Sequence, residues 1–171
     1  MAAAPPGIKM LILDVDGVLT DGSIILDDDG REFKAFHSRD GLGFHLLHLA
    51  GISVALLSGR TAEVVARRAR QLHIDEVHQG AGDKLAVYRG LLEKHGLSDA
   101  EVCYMGDDLI DLAVMRRVGF AAAPADAHPL VRAAAHFVAP SAGGRGAVRD
   151  TIEELLKAAG AWPALLETFD P

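Results

Sequence analysis

The chain has 171 residues, half of them hydrophobic and 5% aromatic, with a formal net charge of −7. That length fits one domain with a sizeable core, residues 1–171, and the acidic balance argues against nucleic acid or a membrane surface as partner, since both are anionic. No apolar run approaches the roughly 18 residues of a membrane span, and the single cysteine, Cys103, excludes an internal disulfide, suits a reducing cytoplasm and reads as a buried strand residue.

The start, MAAAPPGIKM, lacks a basic region followed by an apolar stretch, so it does not read as a secretory leader; residues 1–7 are expected to be a loose tail. MLILD (10–14) predicts a short buried strand. SIILDDDGREFKAFH (23–37) predicts two strands around a DDDG turn. GLGFHLLHLAG (41–51) has helical spacing and a closing glycine. ISVALLS (52–58) is a second buried strand. TAEVVARRARQLHI (61–74) predicts an amphipathic helix capped by Thr61. DEVHQG (75–80) is a strand, and DKLAVYRGLLEKHG (83–96) a helix closed by Gly96. EVCYMGDD (101–108) is a strand ending in carboxylates. A helix (111–119), strand (120–124), helix (128–135), strand (136–139) and last helix (about 146–159) follow. Strands alternating with helices imply βαβ units and a parallel α/β sheet.

That order gathers the polar residues. Asp14, Ser58, Asp107 and Asp108 each stand where a strand stops, and in open α/β sheets ligands bind outside the carboxyl ends of the strands. Lys84, at the start of its helix, can reach the same rim. Asp14 and Asp16, two apart on an extended chain, would point to the same side. Two carboxylates that close repel unless a cation or a shared proton offsets the cost. With Asp107 they make an all-oxygen site that suits Mg²⁺, whereas no Cys or His pairs stand at zinc spacing. An acidic pocket with one lysine and one serine suits a phosphate, and the absence of GxxxxGK[ST] excludes a P-loop nucleotide site. A carboxylate can act as the nucleophile through an aspartyl-phosphate. The arginines of RRAR (67–70) and GGRGAVR (143–149) read first as solvated faces.

DVDGVLTDG, LLSGR, GAGDK and GDDLID, in this order and spacing, resemble the four motifs of the haloacid dehalogenase superfamily of phosphohydrolases. KAFHSRDGLG, ADAHP and GGRGAVRD narrow the resemblance to the branch that removes phosphate from 3-deoxy-D-manno-octulosonate 8-phosphate to make the sugar acid Kdo for lipopolysaccharide. The resemblance implies a Rossmann-like haloacid dehalogenase fold with a β-hairpin after the first strand. It makes Asp14 the nucleophile and an Mg²⁺ ligand. Asp16 would be the acid that protonates the leaving oxygen, then the base for water, its backbone carbonyl also binding the metal. Asp107 completes the protein ligands, Asp108 and Asp111 orient them, and Ser58 and Lys84 hold the phosphoryl group. His37, Ser38, Arg39, Asp40 and Gly41, with Arg60, would face the sugar acid, and Arg68 would reach a neighbouring subunit's site. His45 stands where the family pattern leads one to expect an arginine, and is otherwise an ordinary helix residue. Arg60 matches the eight-carbon enzymes, whereas relatives acting on nine-carbon keto-sugar acids can carry glutamate there.

Both places where relatives insert a cap domain are short here, so the protein is expected to be capless, with a homotetramer packed through its hairpins covering the site. The expected partner is therefore a small phosphorylated sugar acid, with no nucleic acid and no membrane. Two alternatives stand beside this reading. One is a phosphatase for a nine-carbon keto-sugar acid 9-phosphate. The other is a non-catalytic assembly module, against which the intact polar set argues.

Overall fold

The computed structural model describes residues 4–169. Its centre is a six-stranded parallel sheet in the order β5-β4-β1-β6-β7-β8. The strands are β1 (Met10–Leu13), β4 (Ser53–Leu57), β5 (Glu76–His78), β6 (Val102–Met105), β7 (Phe120–Ala123) and β8 (Phe137–Val138). The hairpin expected after β1 is present. β2 (Ile25–Leu26) pairs antiparallel with β3 (Glu32–Phe33), and the Asp27 carbonyl accepts from Gly30 N in the turn.

Side chains alternate across β1, as a strand requires. Leu11 and Leu13 enter one core with Phe44 of α1 (Ser38–Leu49), Val65 and Ala69 of α2 (Glu63–Gln71), and Ile152 and Leu155 of α6 (Ala147–Ala158). Met10 and Ile12 enter the other with Tyr88 and Leu91 of α3 (Lys84–His95), Val114 of α4 (Leu112–Met115) and Val131 of α5 (Pro129–Ala134). Both faces of the sheet are thus covered, which is why its strands read as unbroken apolar runs. Each fully buried Leu or Ile contributes about 1.5–3 kcal/mol. Among the described residues no helix is long and apolar enough to cross a membrane.

Several boundaries differ from the sequence reading. α1 starts at Ser38, three residues early, because Asp40 turns inward in its first turn and accepts from Arg149 N at 3.2 Å. α2 has Ala62, not Thr61, at its N-cap and no side-chain cap; the Ala62 N–H itself is bound by Gln79 Oε1 at 2.8 Å. α7 (Trp162–Leu166) had no sequence signal; Arg149 and Lys157 lie over its Trp162 ring. Of the expected tail, residues 1–3 lie outside the described residues, and Ala4 is buried, its N–H 3.4 Å from Glu154 Oε1. Between β1 and α1 the hairpin is the one pair of strands, preceded by a turn, and residues 79–83 join β5 to α3.

Candidate active site

β1 lies between β4 and β6, with the chain running outward to β5 on one side and to β7 and β8 on the other. The carboxyl ends of these central strands form the crevice of an open α/β sheet. Asp14, Asp16, Ser58, Gly59, Arg60, Asp107, Asp108 and Ile110 line one cleft there. Asp14 and Asp16 are not strand neighbours, however. The chain leaves β1 at Asp14 and turns at once, the Val15 carbonyl accepting from the N–H groups of Val18, Leu19 and Thr20. Gly17 makes this turn at φ +87°, and a β-carbon there would fall 2.1 Å from Asp107 Oδ2. The glycine therefore leaves room for Asp107.

Lys84, the first residue of α3, is buried and bridges two carboxylates, with Nζ 2.9 Å from Asp14 Oδ2 and 2.7 Å from Asp111 Oδ1. Asp14 Oδ1 accepts from Val15 N at 2.7 Å. Asp111 is saturated. Its Oδ1 also accepts from Tyr104 Oη at 2.6 Å, and its Oδ2 accepts from the backbone N–H of Asp107 at 3.0 Å and of Asp108 at 3.2 Å. Although oxygens of Asp14, Asp107 and Asp111 lie within 4.8 Å of one another, Asp111 has no free lone pair aimed at the cleft. It is an organiser, binding Lys84 and shaping the loop that carries Asp107. Asp107 Oδ1, by contrast, is buried without a partner.

Burial, then the Asp111 charge, pushes the Asp14 carboxyl up to about 6 against the pull of Lys84. Burial, then Asp14 and Asp111, pushes Asp107 up to about 7. Such a cluster takes up either protons or a cation. The donor set fits a hard divalent cation: the orphaned Asp107 Oδ1, an Asp14 carboxylate oxygen and the Asp16 carbonyl, which accepts no hydrogen bond among the described residues.

Ser58 is buried and its Oγ accepts from Arg60 N at 3.2 Å, leaving the hydroxyl hydrogen for an acceptor in the cleft. Asp16 is held by the hairpin. Lys34, which follows β3, forms an ion pair with Asp16 Oδ1 and lies 2.9 Å from Glu32; Arg60 Nε stands 3.7 Å from Asp16 Oδ2.

Lys34, Glu32 and Tyr104 were missed by the sequence reading. Tyr104 was masked as one more apolar strand residue, and the hairpin's polar residues had no spacing that tied them to Asp16.

The remaining expected residues do not join this cleft within one chain. Ser38, Gly41, His45 and Arg68 line a groove between α1 and α2. Arg39 lines another beside α6. Asp40 is corrected: it is 2% exposed, and its carboxylate caps α6 through Arg149 N rather than facing outward. Arg68 lies over the Phe36 ring and bonds Gln71 Oε1 at 3.2 Å, while its Nε and His37 Nδ1 are buried without partners. Arg145 pairs with Asp21 at 3.3 Å and is the exposed surface charge it was read as, whereas Arg149, paired with Glu153 at 2.8 Å and lying over the Trp162 ring, is mostly buried rather than on a solvated face.

Residues 70–152 match the family of haloacid dehalogenase-like hydrolases. The 3-deoxy-D-manno-octulosonate 8-phosphate phosphatase KdsC of Escherichia coli K12 is 47% identical over 158 residues, 92% of this chain and 84% of that protein. The Yersinia pestis KdsC is 46% identical over 88% of this chain and 81% of its own length. Among solved structures, the Moraxella catarrhalis 3-deoxy-D-manno-octulosonate 8-phosphate phosphatase, in complex with magnesium, phosphate and Kdo, superposes with a TM-score of 0.93 at 40% identity, covering 95% of this chain and 94% of that one. A probable YrbI-family phosphatase from Pseudomonas syringae reaches a TM-score of 0.95 at 42% identity, over 96% of this chain and 94% of that one. At that identity and coverage, the chain belongs to the 3-deoxy-D-manno-octulosonate 8-phosphate phosphatase family of haloacid dehalogenase-like hydrolases.

Proposed function

We propose that the protein hydrolyses 3-deoxy-D-manno-octulosonate 8-phosphate to Kdo and inorganic phosphate, a step toward lipopolysaccharide, in the cytoplasm. The observation that carries the reading is the orphaned Asp107 oxygen beside the Lys84-held Asp14 carboxylate. That pair supplies a cation ligand and an oriented nucleophile in one cleft.

Asp14, Asp107 and the Asp16 carbonyl would hold Mg²⁺, which would neutralise the clustered carboxylates and the charge of the phosphoryl oxygens. Lys84 and the Ser58 hydroxyl bind those oxygens. Asp14 attacks phosphorus in line, forming an acyl phosphate as the bond to the sugar oxygen breaks. The carboxyl of Asp16 gives its proton to that departing oxygen. Asp16, now a carboxylate, takes a proton from water as the water oxygen attacks phosphorus. The bond to Asp14 breaks, phosphate leaves, and both carboxyls return to their starting states. Asp111 and Asp108 keep Lys84 and Asp107 in place.

The whole chain acts as one capless unit. The sugar acid carries a carboxylate besides its phosphate, and His37, Ser38, Arg39, Gly41, His45, Arg60 and Arg68 are the groups available to it. Since the α1–α2 groove lies apart from the carboxylate cleft, a homotetramer that sets one chain's Arg68 against another chain's cleft would bring the two halves together. The hairpin surface of Ile24, Ile25, Leu26 and Phe33, each about half exposed, is the face available for that assembly.

Phosphate release measured across a panel of sugar-acid phosphates, with Mg²⁺ and with EDTA, tests the reading. Kdo 8-phosphate should give the highest kcat/KM, and EDTA should abolish turnover. A preference for a nine-carbon keto-sugar acid 9-phosphate would replace the substrate. No turnover of any ester would overturn the phosphatase reading.

A further inference from the structure

Lys34 is the one lysine that the hairpin sends inward. Its side chain is 1% exposed, although it follows a two-residue strand whose apolar neighbours face solvent. Its ammonium lies between two carboxylates, Asp16 of the turn after β1 and Glu32 of β3. Glu32 in turn accepts from Arg60 at 3.0 Å, and Arg60 Nε faces the other oxygen of Asp16 at 3.7 Å. Three charged groups from two segments, Glu32 and Lys34 of the hairpin and Arg60 after β4, thus close a ring with the Asp16 carboxylate. Nothing else among the described residues bonds that side chain. Asp16 sits in a turn, 20% exposed, where an aspartate without partners would rotate freely about χ1.

Proton transfer needs the donor within hydrogen-bond reach of the departing oxygen, and a small misplacement is costly. We infer that Lys34 is a positioning residue for the reaction: by holding Asp16 it sets where the leaving oxygen finds its proton, and so makes the hairpin part of the chemistry. This rests on the phosphatase reading above. A lysine in this role acts through Asp16 and makes no demand on substrate binding.

The test compares two esters. The departure of p-nitrophenolate needs little protonation, whereas a sugar alkoxide needs it fully. Lys34→Met keeps the aliphatic stem and removes the charge. It should lower kcat for Kdo 8-phosphate by about ten- to a hundredfold, part of the ~10²–10⁴ that general acid catalysis supplies. On p-nitrophenyl phosphate the loss should stay below about threefold, with KM within about twofold on both. Lys34→Arg, which keeps a cation, should recover part of the sugar-phosphate rate. Equal losses on the two esters would show a merely structural role, and a rise in KM confined to the sugar acid would show substrate contact; either overturns the inference, as does no loss at all. Should Lys34→Met fail to fold, Lys34→Gln against Lys34→Arg is read in the same way. A wild type that cleaves the aryl ester but not Kdo 8-phosphate refutes the substrate assignment alone, and the comparison then runs on a nine-carbon keto-sugar acid phosphate. A wild type inactive on every ester refutes both.

Discussion

Gly17→Ala separates the cation site from the rest of the cleft. Gly17 adopts φ +87°, and the added β-carbon would lie 2.1 Å from Asp107 Oδ2 and 2.5 Å from its Cγ. Restoring an ordinary carbon contact of about 3.5 Å requires the carboxylate to retreat by about 1.4 Å. Mg²⁺ demands ligands at roughly 2.0–2.1 Å in near-ideal octahedral geometry, so a retreat of that size removes a ligand. Mg²⁺ affinity should fall at least about tenfold, the lower end of what disturbing even outer partners of a metal costs. The left-handed backbone adds about 1–2 kcal/mol of strain for alanine. For a chain of this length that lowers Tm by about 2–8 °C. Calorimetric titration with Mg²⁺ reads the first effect, and melting in EDTA the second. A variant that melts earlier but binds Mg²⁺ like the wild type would refute the assignment of Asp107 as a ligand.

Asp14→Asn keeps the size of the nucleophile but not its charge; phosphate release should drop by several orders of magnitude, and near wild-type turnover in purified protein would remove the acyl-phosphate route. In metal-free protein, burial raises Asp14 to about 6 and Asp107 to about 7, both above the unfolded value of 3.8. The folded state therefore binds more protons, and this stability is fully present below pH ~4 and is lost as pH rises through about 7. Melting in EDTA should accordingly occur at lower temperature at pH 8 than at pH 5, and saturating Mg²⁺ should shrink the difference. Asp40, raised by burial to about 6 and remote from the cation, contributes a residual slope of the same sign. Arg68→Ala should raise KM for the sugar-acid phosphate about tenfold or more, since a charge-assisted contact contributes ~1.5–3 kcal/mol. Exchanging those chains with Asp14→Asn chains should restore a low KM if Arg68 serves a neighbour's cleft, and verified exchange without recovery would assign it to its own chain.

The sheet and its crevice were legible because hydrophobic periodicity marks buried strands, and Asp14, Ser58 and Asp107 interrupt apolar runs where strands end. Gly96 closes α3 in the left-handed conformation as its position implied. Residues set by tertiary contact were not legible. Asp83 caps α3 from within its own segment, whereas α2 starts without a side-chain cap and the N–H of its first flanking residue, Ala62, is bound by Gln79 on another segment. Asp16 was expected beside Asp14 on an extended strand, and the hydrogen-bonded turn at Val15 moved it toward the hairpin. Tyr104 looks like core until its hydroxyl is seen to reach Asp111. Asp40 carries the charge of a binding residue, yet the packing of α1 on α6 turned it inward.

The hairpin has a consequence for how the protein behaves on dilution. Its ladder is two residue pairs long, it joins no other strand, and four of its large apolar side chains face solvent. So short a ribbon is marginal by itself in water. Its order is borrowed from the Lys34–Asp16 and Glu32–Arg60 contacts on one side, and in the proposed homotetramer a neighbouring chain over Ile24, Ile25, Leu26 and Phe33 would supply the rest. Linkage makes the loan reciprocal: a ligand that steadies Asp16 strengthens the covering association by the same free energy with which the association steadies Asp16. Specific activity should then decline as the protein is diluted below the dissociation constant of that assembly, and substrate should shift that decline to lower concentration.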